Sequence, residues 1–189
     1  GMVSIIIGGL GGINQTQLRK LMAYSSLVNL GWTMMILPMF PHTAMLNIII
    51  YMLMLIPTFF MMETMMLKSL QNMTTTWTTS TTMNVLLTLL LLSLSGLPPL
   101  TGFMPKLLIL DSLILQNLVP IATMVAIFSL INLFFYMRMT YIMTMTTPPT
   151  SHLMMTKWRY KLHYSKLLSM LTITSLMNIP LLPTMSTMI

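Results

Sequence analysis

A helix-breaking segment interrupts the apolar middle of the chain: Leu94-Ser95-Gly96-Leu97-Pro98-Pro99-Leu100-Thr101-Gly102-Phe103-Met104-Pro105-Lys106. Glycine and proline disfavour a helix interior, whereas proline suits the first turn of a new helix. The segment ends at a lysine that has apolar sequence on both sides. The pattern predicts two half-helices separated by a break at 95–105, with Lys106 in the first turn of the second. The break-forming residues are Gly96, Pro98, Pro99, Gly102 and Pro105.

The composition indicates a membrane protein. Of the 189 residues, 56% are hydrophobic and only 6% are charged, which is far less charge than a soluble domain carries. A spanning helix needs about 20 mostly apolar residues. We predict an all-α, polytopic transmembrane bundle, a single membrane domain over residues 1–189, with about five full spans plus the end of another. The predicted spans are 21–40, 44–62, the broken 83–118, 119–143 and 167–189, after a partial span at 1–13.

The start of the chain and its lack of cysteine add two expectations. The chain opens on Gly1 within apolar sequence, without the basic start of a signal peptide. This favours the C-terminal portion of a longer chain. The sequence contains no cysteine, so disulfides and cysteine-ligated zinc or iron–sulfur sites are not expected. The three histidines lack metal-ligand spacing, and we predict no metal site.

The basic residues predict the topology. If 83–118 crosses once, eight of the nine Lys and Arg residues fall on one side, which is the positive-inside signature. If the break were instead a surface turn, these eight would divide three against five, and each half-helix would be too short for a ~30 Å core. We therefore prefer one crossing. The eight are Arg19, Lys20, Lys68, Arg138, Lys157, Arg159, Lys161 and Lys166.

The loop at 144–166 is a basic loop before the last span. Its stretch Lys157-Trp158-Arg159-Tyr160-Lys161 interleaves basic and aromatic residues. Beside a membrane span this pattern indicates an interfacial anchor rather than a nucleic-acid site. We expect no nucleic-acid partner.

The position of Lys106 predicts an ion or proton site. A charge at membrane depth is costly and usually functional, and irregular backbone persists there only where protein buries it or water lines it. Carbonyl groups at the end of the first half-helix, around 92–95, favour an ammonium, so we expect an amine that can gain and lose a proton. The alternative is a lysine that extends to the membrane surface. Asp111 is a nearby acid, but five positions along a helix is not a facing spacing.

Polar side chains recur at helical spacing on three other predicted spans. These faces are candidates for a hydrated path beside Lys106, although such residues more commonly hydrogen-bond between helices. The residues are Ser25, Asn29 and Trp32 on one span, Asn47 and Tyr51 on the next, and Ser129, Asn132, Tyr136 and Thr140 on a third.

Two motifs carry a resemblance to a known family. The stretch Asn14-Gln15-Thr16-Gln17-Leu18-Arg19-Lys20-Leu21-Met22-Ala23-Tyr24-Ser25-Ser26 and the segment 96–106 closely resemble NADH dehydrogenase subunit 2. That family is an antiporter-like membrane subunit of respiratory complex I, NADH:ubiquinone oxidoreductase. The resemblance implies proton translocation across the mitochondrial inner membrane, coupled to electron transfer from NADH to ubiquinone. It matches Lys106 to the family's lysine on the second broken helix, a protonatable relay residue.

The resemblance implies further expectations. NADH, FMN, iron–sulfur clusters and ubiquinone belong to other subunits, so no cofactor is bound by this chain and it holds no redox centre. Expected partners are other membrane subunits of complex I and membrane lipids, with cardiolipin a candidate at the basic loop. The basic loops face the matrix and the C-terminus faces the intermembrane space. The first half of the family, with its other relay residues, would precede Gly1.

Two departures and two alternatives accompany the resemblance. Asn29 stands where the family often has a histidine or another polar residue, and because asparagine cannot titrate, a proton-carrying role is not expected there. Leu107 follows Lys106 where the family usually has a tryptophan, so a packed aromatic lid is not expected there. The alternatives are a structural scaffold without a relay role and a subunit of a stand-alone cation/proton antiporter.

Overall fold

The computed structural model is helical throughout and describes residues 1–74, 76, 81–98, 100–145 and 166–176. Among these residues there is no strand, and an isolated β-bridge joins Gln17 to Ser69. The predicted all-α class is therefore confirmed. The helices are α1 (Met2–Ile13), α2 (Leu18–Ile36), α3 (Pro41–Thr64), α4 (Leu70–Met73), α5 (Thr81–Ser95), α6 (Phe103–Leu115), α7 (Val119–Met145) and α8 (Lys166–Leu176).

The helix lengths support part of the predicted span count. Within the described residues, α3 and α7 are long and apolar enough to cross a membrane by themselves, while α1 and α5 are shorter apolar helices. The 19 residues of α2 include too many polar side chains for the same criterion. About five full spans therefore stays a prediction. Most of the basic loop at 144–166 and most of the predicted span at 167–189 lie outside the described residues.

The predicted break is present but shorter than expected. Helix α5 ends at Ser95 and α6 begins at Phe103, so the break covers 96–102 rather than 95–105. Phe103, Met104 and Pro105 already form the first turn of α6. Pro105 is tolerated there because the first four N–H groups of a helix have no partner within it. Lys106 follows directly.

The hydrophobic core shows that α5 and α6 lie one after the other along the bundle. Buried α5 side chains such as Leu87 pack in one cluster with Leu21 of α2 and Met139 of α7. Buried α6 side chains such as Ile109 pack in a second cluster with residues from the end of α2 and the start of α7. The two half-helices measure about 22 and 20 Å at 1.5 Å per residue. Stacked end to end, they have the arrangement that a single crossing requires, and the crossing itself stays a prediction.

Backbone hydrogen bonds join the loop between α1 and α2 to the loop between α3 and α4. The end of the bundle where these two loops lie is here called the basic end. The Leu18 N–H donates to the Lys68 carbonyl at 3.2 Å, and the Leu70 N–H donates to the Thr16 carbonyl at 3.0 Å. Arg19, Lys20 and Lys68 therefore lie near one end of the bundle, and the side of the membrane that this end faces stays a prediction.

Arg138 brings α7 to the same end. Its Nη1 donates to the Ile13 carbonyl at 2.6 Å and its Nη2 donates to the Gln15 carbonyl at 2.7 Å. A hairpin at the break would carry this part of α7 to the opposite end, so these contacts favour the prediction of one crossing over the surface turn. Arg138 lies about two turns before Met145, the last residue of α7, and its guanidinium reaches the carbonyl end of α1, where a positive charge is favourable.

Candidate functional site

A glycine terminates the first half-helix and begins the break. Gly96 has φ +81°, a left-handed conformation. Its N–H donates to the Ser93 carbonyl at 3.1 Å, and the Leu97 N–H donates to the Leu92 carbonyl at 3.5 Å. This pair of bonds is the Schellman arrangement, in which glycine follows the last helical residue. The carbonyl of Ser95 is left pointing beyond the end of α5.

Lys106 occupies the position beyond that helix end. Its side chain is buried, with 8% exposed, and its Nζ donates to the Ser95 carbonyl at 2.7 Å. A Cβ at Gly96 would lie 2.7 Å from Nζ and 3.1 Å from Cδ and Cε. Gly96 therefore serves twice: it adopts the left-handed turn and it leaves room for the lysine. The predicted contact with carbonyls at the end of the first half-helix is found.

The rest of the break folds against neighbouring helices. A Cβ at Gly102 would collide with the Ser93 carbonyl oxygen, so the loop crosses directly over the last turn of α5. The Thr101 hydroxyl donates to the Ser175 carbonyl of α8 at 3.2 Å and lies 3.2 Å from the Met54 sulfur of α3. Pro98 lies on the exposed side of the loop, and Pro99 is outside the described residues.

The electrostatic partner of Lys106 is a helix end rather than an acid. The sequence has two acidic residues, Glu63 and Asp111, and both are exposed. Asp111 lies on α6 with Lys106, but no hydrogen bond or ion pair joins the two in the described part of the chain. The carbonyl end of α5 carries partial negative charge and favours the ammonium, while the amino end of α6 opposes it. Because Lys106 donates its hydrogen bond to Ser95, the favourable interaction with the carbonyl end of α5 is the stronger of the two.

A second polar group, here called the polar cluster, consists of Ser25, Asn29, Tyr51 and Tyr136. The hydroxyls of Tyr51 and Tyr136 both approach Ser25, and Tyr51 also approaches Asn29. Ser25 and Asn29 each donate a side-chain hydrogen bond within their own helix. The Ser25 hydroxyl donates to the Met22 carbonyl at 2.7 Å, and the Asn29 amide donates to the Ser25 carbonyl at 3.1 Å. Among the residues that the structure describes, neither tyrosine hydroxyl has a partner in bonding geometry. The cluster therefore joins α2, α3 and α7 through polar groups that retain bonding capacity.

The remaining predicted polar residues differ in environment. Asn132 is fully buried, and both its amide atoms lack a partner. Ser129 is half-buried and donates to the Ala126 carbonyl of its own helix at 2.7 Å. Within the described residues, no hydrogen bond connects Ser129, Asn132 or the polar cluster to Lys106. A continuous path is therefore a proposal, not a feature of the static structure.

Sequence reasoning missed two features of the site. The contact of Gly96 with Lys106 could not be predicted, because the two residues are ten positions apart in the chain. The only sequence feature that pointed to it was the presence of a glycine in the break. The Thr101 contact with α8 likewise depends on how the loop folds. No group of three or more His, Cys, Asp or Glu residues suited to a metal ion occurs among the described residues.

The helical fold, the broken helix and the buried lysine agree with the antiporter-like class of membrane proteins, and comparisons with known proteins show this class. The family model described as NADH:quinone oxidoreductase/Mrp antiporter, TM, matches residues 1–132. The model described as NADH dehydrogenase subunit 2 C-terminus matches residues 133–186. The chain belongs to the NADH:quinone oxidoreductase/Mrp antiporter family, as a member of its NADH dehydrogenase subunit 2 group.

Similar curated proteins carry the name NADH-ubiquinone oxidoreductase chain 2. That of Latimeria chalumnae is 46% identical over 98% of this chain and 53% of its own length. That of Varanus melinus is 48% identical over 98% of this chain and 54% of its own length. The protein of Dugong dugon is 41% identical over the same shares. The chain thus spans about half the length of the curated relatives it matches.

Proposed function

We propose that this chain is part of a core membrane subunit of NADH:ubiquinone oxidoreductase and takes part in proton translocation across the mitochondrial inner membrane. Its relatives carry the name of that enzyme, and its family model is shared with antiporters. Electron transfer, with NADH, FMN, iron–sulfur clusters and ubiquinone, is assigned to other subunits. The basic end faces the matrix, as the positive-inside rule predicts.

The observation that carries this proposal is the Lys106 ammonium at the broken helix. The buried Lys106 ammonium bonds a backbone carbonyl and no carboxylate. When it releases its proton, no carboxylate is therefore left as a buried, unpaired negative charge. Discontinuous helices whose ends face an ion recur at transporter sites. Lys106 is therefore the proposed relay residue, and the polar cluster with Asn132 is the proposed hydrated path beside it.

A structural scaffold is the second candidate, because the same hydrogen bond also caps α5. A lysine at a helix C-terminus stabilises the helix by bonding its last carbonyls. In this function Lys106 joins the two half-helices, and the bundle holds neighbouring subunits without carrying protons. A stand-alone antiporter, in contrast, gains no support from relatives that bear the name of a respiratory enzyme.

The substitution Lys106→Met in the intact complex separates the two functions. Methionine keeps most of the side-chain volume and removes the proton site. We expect the complex to assemble and to oxidise NADH with proton translocation reduced relative to electron transfer. Measuring protons moved per NADH in vesicles tests this, with Lys20→Met at the exposed basic end as the control. Normal proton transfer in an assembled variant contradicts the relay, whereas failed assembly supports the scaffold.

A further inference from the structure

A pocket of about 430 Å³ opens at the basic end, between the start of α2 and the end of α3 with the loop that follows. It lies away from the broken helix and has no part in the proposed proton site. Three charged residues line it: Arg19, Glu63 and Lys68. Apolar side chains line the remainder, among them Phe59, Met62 and Met66. The pocket therefore combines a charged rim with an apolar wall.

The three charges face the pocket without pairing. None of Arg19, Glu63 and Lys68 forms an ion pair or a side-chain hydrogen bond in the described part of the chain. All three side chains are exposed. Opposite charges that share a pocket without touching leave space for a ligand that carries both signs. Charge-assisted hydrogen bonds to such a ligand are stronger than those between neutral groups.

The backbone holds this arrangement in place. The Lys68 carbonyl accepts the hydrogen bond from the Leu18 N–H at 3.2 Å, directly beside Arg19. The loop residue Met66 has φ +54° and is 74% exposed. A methionine in a left-handed conformation is uncommon. Here it places an exposed apolar side chain at the rim of the pocket.

We propose that this pocket binds a phospholipid with a phosphoethanolamine headgroup. The lipid phosphate lies between Arg19 and Lys68, and its primary ammonium donates hydrogen bonds to Glu63. The acyl chains follow the exposed side chain of Phe59 along the outer face of α3, and buried Met62 forms the inner wall of the pocket. The site has two cations and one anion, so a zwitterionic headgroup meets each sign and leaves the occupied site with a net charge of +1.

The chemistry distinguishes this lipid from the two obvious competitors. A phosphocholine headgroup has the same net charge, but its quaternary ammonium has no N–H to donate to Glu63. A phosphoglycerol headgroup offers the phosphate to the two cations but brings no positive charge to the carboxylate. Selectivity for the primary ammonium is therefore the mark of this site, as opposed to a general attraction of anionic lipids to a basic surface.

Photo-cross-linking in the intact complex tests the proposal. The complex is reconstituted into vesicles with phosphatidylethanolamine, phosphatidylcholine or phosphatidylglycerol that carries a photoreactive acyl chain, and cross-links are mapped on peptides. We expect phosphatidylethanolamine to label the segment that contains Phe59, Met62 and Met66 about two- to fivefold more than either competitor, the range of an exposed ion pair. Equal labelling by phosphatidylcholine, or stronger labelling by phosphatidylglycerol, overturns the proposal without any variant.

Matched variants assign the selectivity to individual charges. Glu63→Gln should bring the ratio of phosphatidylethanolamine to phosphatidylcholine labelling to about one, and Asp111→Asn, the other acid of the chain, should leave it unchanged. The pair Arg19→Gln and Lys68→Gln should lower labelling by all three lipids, whereas Lys20→Gln should not. An unchanged ratio in Glu63→Gln contradicts the role of the carboxylate. Because no readout involves pumping, the result is independent of the function of Lys106.

Discussion

Lys106 and Ser95 join the two half-helices across the break: the lysine Nζ donates a 2.7 Å hydrogen bond to the serine carbonyl, eleven positions earlier in the chain. The bond places a charge at the negative end of the α5 dipole and satisfies a carbonyl that the helix leaves unpaired. The proposed proton carrier and the helix cap are thus the same atom. Variants must separate the charge of this residue from its ability to lose a proton.

Lys106→Arg makes that separation. A guanidinium stays protonated in proteins, so it can keep the positive charge and the bond to α5 but cannot act as a relay. We expect an assembled complex in which fewer protons move per NADH than in the wild type, because a positioned group that gains and loses a proton has been removed. Native gels measure the assembly, and pH-sensitive dyes in vesicles measure the translocation. Pumping at the wild-type level would mean that a fixed charge is enough.

Gly96→Ala should destabilise the break through backbone strain and through a clash with Lys106. A double-mutant cycle with Lys106→Met separates the two contributions to stability. Alanine at φ +81° is strained, and its Cβ would lie 2.7 Å from the Lys106 Nζ. We expect a loss of about 1–3 kcal/mol in stability, visible as a lower melting temperature of the purified complex. In the Lys106→Met background the part due to Nζ should disappear and the backbone part should remain.

Gly9→Ala is the control for that substitution. A Cβ at Gly9 would meet Ile131 at 3.5 Å, an ordinary van der Waals contact, and Gly9 lies within α1, where alanine favours the helix. The melting temperature should not fall. If Gly96→Ala costs the same in the presence and absence of the Lys106 ammonium, then the turn alone requires glycine and the space for Nζ is incidental.

The sequence predicts the break between the two half-helices well, because glycine and proline disfavour a helix at their own positions. The charge asymmetry is a count over all the loops, so it does not depend on any single contact. Glycines and prolines between Ser95 and Pro105 mark the interruption, and the basic loops assign both halves to one crossing. The boundaries were less certain, since Phe103 and Met104 suit either a loop or a first helical turn. Tertiary contacts such as Thr101 with Ser175 have no sequence signature, because they depend on which loop atoms reach a neighbouring helix.

Arg138 should be a structural residue, in contrast to Lys106. Its guanidinium donates to the Ile13 and Gln15 carbonyls at 2.6 and 2.7 Å, and its Nε is buried without a partner. Arg138→Gln removes both charge-assisted bonds, each of which contributes about 1.5–3 kcal/mol. We expect poor assembly on native gels and normal proton stoichiometry in whatever complex forms. Lys20→Gln, an exposed basic residue near the same loop, should assemble normally. Reduced stoichiometry in assembled Arg138→Gln would instead place the arginine on the proton path.

Tyr136→Phe tests whether the polar cluster serves transport or packing. The Tyr136 hydroxyl is fully buried and has no partner in bonding geometry, and burying an unsatisfied polar group costs about 1–3 kcal/mol. Phenylalanine keeps the ring and its contact with Phe135, so the melting temperature should hold or rise. If the hydroxyl belongs to the hydrated path, protons moved per NADH should nevertheless fall several-fold. Tyr141→Phe, an exposed tyrosine on the same helix, should change neither quantity. A stable Tyr136→Phe complex with full pumping would leave the cluster a packing feature of α2, α3 and α7.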